Sequence, residues 1–199
     1  QTYEKGVLMS NYFLFALIPV LLGMWAQFRI KSAYNKYSAV RTQYGMTGAE
    51  TARRMLDQQG LTDIRIERTQ GGTLSDHYDP SQRVLRLSEG VYGSPSVAAI
   101  GVACHEAGHA YQHAASYPWL TLRSAIVPFV RIGSNFGVVL FMVGMILASM
   151  IGTFGLTIAW IGIALFGLTT VFTLITLPVE FNASNRAKQW IAQTDVFSA

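Results

Sequence analysis

Charge is what this chain most lacks. Only 13% of its 199 residues are Asp, Glu, Lys or Arg, while 51% are hydrophobic; soluble globular domains carry roughly 25% charged residues. Too few charges remain to coat a soluble domain of this size, so a membrane protein is the economical reading. Cysteine is nearly absent. The single Cys104 excludes an intramolecular disulfide framework and a CxxC metal knuckle. Beside His105 it could be a sulfur ligand or a redox switch, but adjacent helix positions point about 100° apart, which favours a small buried helix residue. A basic patch is missing too. The formal charge is +4, yet the Lys and Arg residues are scattered singly, several beside apolar runs, which speaks against nucleic acid and for charges flanking a membrane.

Uncharged runs, by contrast, are long. Ile132 to Val179 contains no charged residue, and Gly152-Thr153-Phe154-Gly155 interrupts it near the middle, which reads as two membrane-spanning helices joined by a short turn. Val7 to Phe28 is also uncharged and, at about 1.5 Å per helical residue, can cross a hydrocarbon core of about 30 Å. A signal peptide competes for this run, since Glu4-Lys5 precede it. The run exceeds the roughly 7 to 15 residues of an h-region and no A-x-A-like site follows, so an uncleaved anchor is expected. Arg29, Lys31, Lys36 and Arg41, interleaved with Tyr34, Tyr37 and Tyr44, follow the anchor; Arg123 and Arg131 precede the later pair, and Arg186 and Lys188 follow it. By the positive-inside rule all of these lie on the cytoplasmic side, with the N-terminus outside.

Between the apolar runs the punctuation is that of a small folded unit. Thr47-Gly48-Ala49-Glu50 is a capping-box signal, and Gly60 closes the helical stretch Ala49 to Gln59. Asp63 to Arg68 alternates, with Ile64 and Ile66 on one face, as a half-buried strand does. Leu74 to Tyr78 and Arg83 to Leu87 flank Asp79-Pro80-Ser81-Gln82, which favours a type I turn. Together these predict a small antiparallel meander, serving either as scaffold or as an edge that pairs with an extended peptide. Ser94-Pro95 reads as an N-cap and N1 proline, opening a helix to about Ser116 before Pro118 stops it.

That helix carries His105-Glu106-Ala107-Gly108-His109, the H-E-x-x-H pattern. Residues four apart share a helix face, so both imidazoles can reach one ion, while Glu106 projects about 100° round the axis towards a water on that ion. Neutral imidazoles leave the charge of Zn²⁺ intact, which lets the ion acidify water. Chance would give the pattern in on the order of one chain in a hundred, so its mid-helix setting matters. The surrounding residues are small, including Ala98, Ala99, Gly101, Ala103 and Gly108, and let neighbouring backbone approach closely. A catalytic zinc takes a third protein ligand. His113 continues the series but lies about 12 Å along the axis from His105, and Gln112 stands where a metzincin has its helix-breaking Gly; a polar helix residue or a group behind the ligands is the better reading. Glu180 follows the second helix of the apolar hairpin, so the return through the membrane brings a carboxylate to the histidines' side. Composition alone slightly prefers a membrane-surface carboxylate.

Asp76-His77-Tyr78-Asp79-Pro80, Arg86-Leu87-Ser88-Glu89, the His105 to His113 stretch and Leu177 to Arg186 together resemble the YugP-type neutral zinc metallopeptidases, bacterial membrane proteins, over most of the chain. The layout is more distantly similar to HtpX-type membrane proteases, whose third ligand is the Glu of an E-x-x-A-D motif. The resemblance implies Zn²⁺ held by His105, His109 and Glu180, with Glu106 as general base. Ala183 matches the motif Ala but Ser184 replaces its Asp, which leaves Asn182 or Ser184 to orient a zinc-bound imidazole. His77, Tyr78 and Arg186 are candidates for stabilising an oxyanion. The fold class expected is a mainly α membrane protein: about three transmembrane helices plus a small zincin-like α+β unit with a short antiparallel β-meander and the H-E-x-x-H helix. The chain divides as an anchor at 1–30, a catalytic region at 31–131, a hairpin at 132–178 and a segment with the third ligand at 179–199.

The function so implied is a membrane-embedded, gluzincin-like zinc endopeptidase of the bacterial plasma membrane with a cytoplasmic active site. Its partners would be a protein or peptide substrate, the lipid bilayer and possible membrane protein partners or a homo-oligomer, with no nucleic acid. A scaffold or partner-binding subunit with structural zinc is the alternative, but a structural site is closed by four ligands and needs no base beside it. A transporter is disfavoured because the hairpin lacks ionisable residues to mark an ion path.

Overall fold

The computed structural model describes residues 2–72, 75–194 and 196, with side chains from residue 17 onwards. In chain order it contains α1 (Thr2–Ser38), α2 (Gly48–Gln58), β1 (Arg65–Arg68), β2 (His77–Asp79), β3 (Val84–Leu87), α3 (Glu89–Tyr92), α4 (Val97–Ala114), α5 (Pro118–Ile151) and α6 (Thr153–Thr194). The protein is mainly helical with one small sheet.

Local chemistry explains the helix boundaries. Thr47 caps α2: its side chain accepts from the Glu50 backbone N–H, and the Glu50 carboxylate accepts from the Thr47 N–H at 2.8 Å. At the other end Leu61 N–H donates to Leu56 O and Gly60 N–H to Asp57 O, the Schellman pattern, with Gly60 at φ 72°. Helix α4 starts two residues later than Ser94-Pro95 suggests. Ser96 is the cap, its side chain accepting from the Ala99 N–H at 3.2 Å, because the residues ahead of it form a short extended pairing: Thr42 N–H donates to Pro95 O and Val97 N–H to Val40 O. Pro118 ends nothing by itself; it is the first residue of α5, where its missing N–H costs no bond.

The expected antiparallel meander is corrected to a mixed sheet. Its order is β1-β3-β2; β2 pairs with β3 antiparallel, as the turn predicts, but β1 pairs with β3 parallel. The reason lies in β3, where Val84, Leu85 and Leu87 are all fully buried. Such a near-continuous apolar run suits a central strand. Arg65, Glu67 and Arg68 make β1 a charged edge. Of the strand expected at Leu74 to Tyr78, Leu74 lies outside the described residues.

The core of this unit joins α2, the sheet, α4 and the end of α6. Leu56 and Ile64 share one buried cluster with Ala103 and Ala107 of α4 and Trp190 of α6. Gly108 marks a close approach of α4 to α6: a Cβ there would lie 2.8 Å from Ala183 O.

Helices α5 and α6 form an antiparallel hairpin turned at Gly152, which has φ 64°. Both are long and apolar enough to cross a membrane, and only 11% of the most apolar window of each is buried. Phe129, Met142, Met150, Trp160 and Leu174 all face outwards, the inverse of a soluble core helix. Among the described residues there are two candidate spans, not the three expected; the stretch expected as the first, Val7 to Phe28, falls within α1, its side chains up to residue 16 lie outside the described residues, and those of Leu21, Met24, Trp25 and Phe28 are exposed. Helix α6 is 42 residues long, about 63 Å at 1.5 Å per residue. It therefore outreaches a hydrocarbon core of about 30 Å and carries Glu180 to Trp190 into the folded unit without a break.

Candidate metal centre

Helix α4 supplies His105 and His109 from one face, one turn apart, with ring centroids 4.8 Å apart and nearly perpendicular planes at 84°. Helix α6 brings Glu180 against them. Its Oε2 lies 3.1 Å from His105 Nε2 and 3.4 Å from His109 Nε2, and all three candidate donor atoms lie within 4.8 Å of one another. A tetrahedral zinc with bonds of about 2.0–2.1 Å sets its ligands about 3.3–3.4 Å apart. Two imidazoles and one carboxylate at these spacings are a donor set that fits zinc, with room for a fourth ligand.

Both imidazoles are held from behind. Ser184 Oγ lies 3.1 Å from His105 Nδ1, and Gln112 Oε1 lies 2.9 Å from His109 Nδ1. Of the two residues left open to orient a ring, Ser184 touches one directly, while Asn182 acts through Gln112, whose amide donates to Asn182 Oδ1 at 3.0 Å. Arg123, on α5, approaches the other Glu180 oxygen at 3.6 Å.

A cleft of about 350 Å³ opens over these groups. Glu106, His109 and Glu180 line it together with His77 and Tyr78 on the sheet side and Arg123 on the α5 side. Burial holds the Glu106 carboxyl above the ordinary glutamate range, against the opposing pull of His109 and then His105. A carboxylate with raised proton affinity beside a metal centre suits a general base.

The remaining residues singled out from sequence divide clearly. His113 is outside the cluster; its Nδ1 is hydrogen-bonded to Tyr78 Oη at 2.9 Å. Cys104 is fully buried in the core, and burial pushes its thiol up to about 12; an inert packing residue follows. Arg186 does not line the cleft. It donates to Asn182 Oδ1 at 2.8 Å and stacks over Tyr111 at 4.3 Å, in a separate pocket with Trp190. Gln112 and Arg123 are the residues that sequence reasoning passed over. Gln112 carries a legible signal, three positions after His109 on the same helix face; Arg123 reads in sequence only as a membrane-flanking charge.

Comparison with known proteins agrees with this geometry. A family model described as "Putative neutral zinc metallopeptidase" matches residues 12–199. "Putative membrane protease YugP" from Bacillus subtilis (strain 168) is 53% identical over 180 residues, covering 90% of this chain and 77% of that protein. No solved structure matches the chain. On the family match over nearly its whole length, the chain belongs to the neutral zinc metallopeptidase family.

Proposed function

We propose that the protein is a zinc-dependent endopeptidase embedded in the bacterial plasma membrane, with His105, His109 and Glu180 as metal ligands, in the gluzincin manner, and Glu106 as general base. The observation that carries this reading is the convergence of Glu180 Oε2 on both imidazole Nε2 atoms, at 3.1 and 3.4 Å, with Glu106 lining the same cleft. Zinc bound there supplies Lewis acidity, which polarises a peptide carbonyl and eases deprotonation of water. Glu106 accepts the proton as the water oxygen bonds to the carbonyl carbon, then passes it to the amide nitrogen as the C–N bond breaks. Arg123, His77 and Tyr78 are among the cleft residues able to donate towards the carbonyl oxygen as it gains charge. The outer strand β2 forms part of one wall and offers its backbone to an extended peptide.

The site stands at the end of the apolar hairpin, and Arg123, Arg131, Arg186 and Lys188 flank that end. The positive-inside rule assigns this side to the cytoplasm, with α1 as a third span. Membrane proteins and juxtamembrane segments are the substrates that such a position suits. Zinc content and cleavage of an unstructured protein, compared between wild type and Glu106→Gln, test the reading. Zinc in both and cleavage by wild type alone are expected. Zinc retained with no cleavage of a broad substrate panel by either form favours a structural-zinc scaffold instead.

A further inference from the structure

Gln112 is fully buried and spends every polar atom of its side chain. Its Nε2 donates to Val179 O at 2.8 Å and to Asn182 Oδ1 at 3.0 Å, and its Oε1 faces His109 Nδ1 at 2.9 Å. An amide's oxygen and nitrogen are told apart by what their partners can do, and here two independent partners agree. Val179 O is a backbone carbonyl and can only accept. Asn182 Oδ1 already accepts from the Arg186 Nε–H at 2.8 Å, and a guanidinium can only donate. The Gln112 amino group must therefore point at α6, and its carbonyl must point at His109.

A carbonyl facing Nδ1 requires an N–H there. The neutral His109 ring is thereby fixed with its proton on Nδ1 and its lone pair on Nε2, the atom directed at Glu180 Oε2. Ser184, behind His105 at 3.1 Å, sets no such polarity, because a hydroxyl both donates and accepts.

We propose that Gln112 is a positioning residue of the metal centre. It fixes the tautomer and orientation of His109 through a hydrogen-bond network in which His109 donates to Gln112, while Gln112 and Arg186 both donate to Asn182 Oδ1. The inference rests on the metal-site reading above. It explains how helix α6, which delivers Glu180, also sets the tautomer and orientation of a ligand on α4.

The test uses the whole 199-residue chain solubilised in detergent. Nitrogen NMR of histidine-labelled protein is tractable with four histidines and reads which His109 nitrogen carries the proton; a chelator competition reads zinc affinity. In wild type, an Nδ1–H on His109 is expected with and without zinc. Gln112→Met, which fills the space but accepts nothing, should loosen zinc by roughly 10–100-fold and release the tautomer. Gln112→Glu keeps an acceptor towards Nδ1 but loses both donors towards α6. It should bind zinc more tightly than the Met variant while melting lower. If Gln112 only packs, affinity will follow melting temperature across the two variants. That order, or a wild-type His109 with no proton on Nδ1, overturns the proposal. The wild-type spectrum needs no variant to fold. Failure of wild type to bind zinc strikes the metal-site reading instead, and the spectrum still decides the role of Gln112.

Discussion

Glu106 and Glu180 line one cleft, and the different roles proposed for them, general base and metal ligand, each make a separate prediction. Burial raises the Glu106 carboxyl above its ordinary value of 4.5, and the proton-accepting form is the ionised one. Cleavage should therefore fall as pH drops and Glu106 takes up a proton, giving the rate profile an acid limb. A profile flat on its acid side would contradict the assignment. Glu106→Gln should retain zinc and lose roughly 10²–10⁴-fold in turnover, measured on any peptide that wild type cuts. Glu180→Ala should lose more zinc affinity than the roughly 10–100-fold typical of residues behind the ligands; an unchanged chelator titration would remove Glu180 from the ligand set. The histidine pair was legible in five consecutive residues because helical spacing alone fixes it. Arg123 was not, since its place arises only when α5 packs against α4, and Gln112 was legible only in part: its spacing from His109 is local, but its orientation is set by bonds to α6.

At the scale of elements, the position of Glu180 depends on how closely α6 approaches α4. A Cβ on Gly108 would fall 2.8 Å from Ala183 O, whereas Gly101, on the same helix, has nothing within 4 Å of its Cβ position. Gly108→Ala should cost about 1–3 kcal/mol by overpacking and weaken zinc binding by pushing Glu180 away. Gly101→Ala should be neutral or stabilising by up to about 1 kcal/mol through helix propensity. Thermal melts and zinc titration of the two variants decide this, and equal effects would refute the packing argument. The β2–β3 turn supplies a pH test. Its Asp79 carboxylate accepts from Ser81 Oγ–H at 2.6 Å and Ser81 N–H at 2.9 Å; the bond from the Ser81 side chain comes first in holding it at about 2, below the ordinary 3.8. A depressed carboxyl stabilises the fold above the unfolded value, so this contribution should fade as pH falls from 3.8 to about 2. Asp79→Asn should flatten that part of the melting profile. The turn and both capped ends of α2 could be read from local residues. The parallel pairing of β1 with β3 could not, because it follows from which strand is apolar enough to be central.

At the scale of the whole molecule, a compact unit sits on one end of a hairpin that exposes apolar side chains along its length. The charge-free run announced the hairpin, since its composition fits no aqueous core; that α6 continues unbroken into the folded unit depends on packing around Val179, Ala183 and Trp190, which no local pattern reveals. Cys104 is buried and its thiol is pushed up to about 12, so the natural chain is a quiet background for thiol labelling. Cysteines placed at Gln59 and at Thr153, both exposed, should react with impermeant reagent from opposite sides of the membrane; labelling from one side would refute a spanning hairpin. The central claim is that two helices, one of them crossing the membrane, hold a single catalytic zinc by His105, His109 and Glu180. X-ray absorption at the zinc edge of the purified protein tests it most directly. The account predicts one zinc with imidazole nitrogen and oxygen ligands at about 2.0–2.2 Å and no sulfur, and a changed oxygen shell, with the carboxylate lost, in Glu180→Ala. A sulfur shell near about 2.3 Å, or a spectrum that Glu180→Ala leaves unchanged, would contradict it.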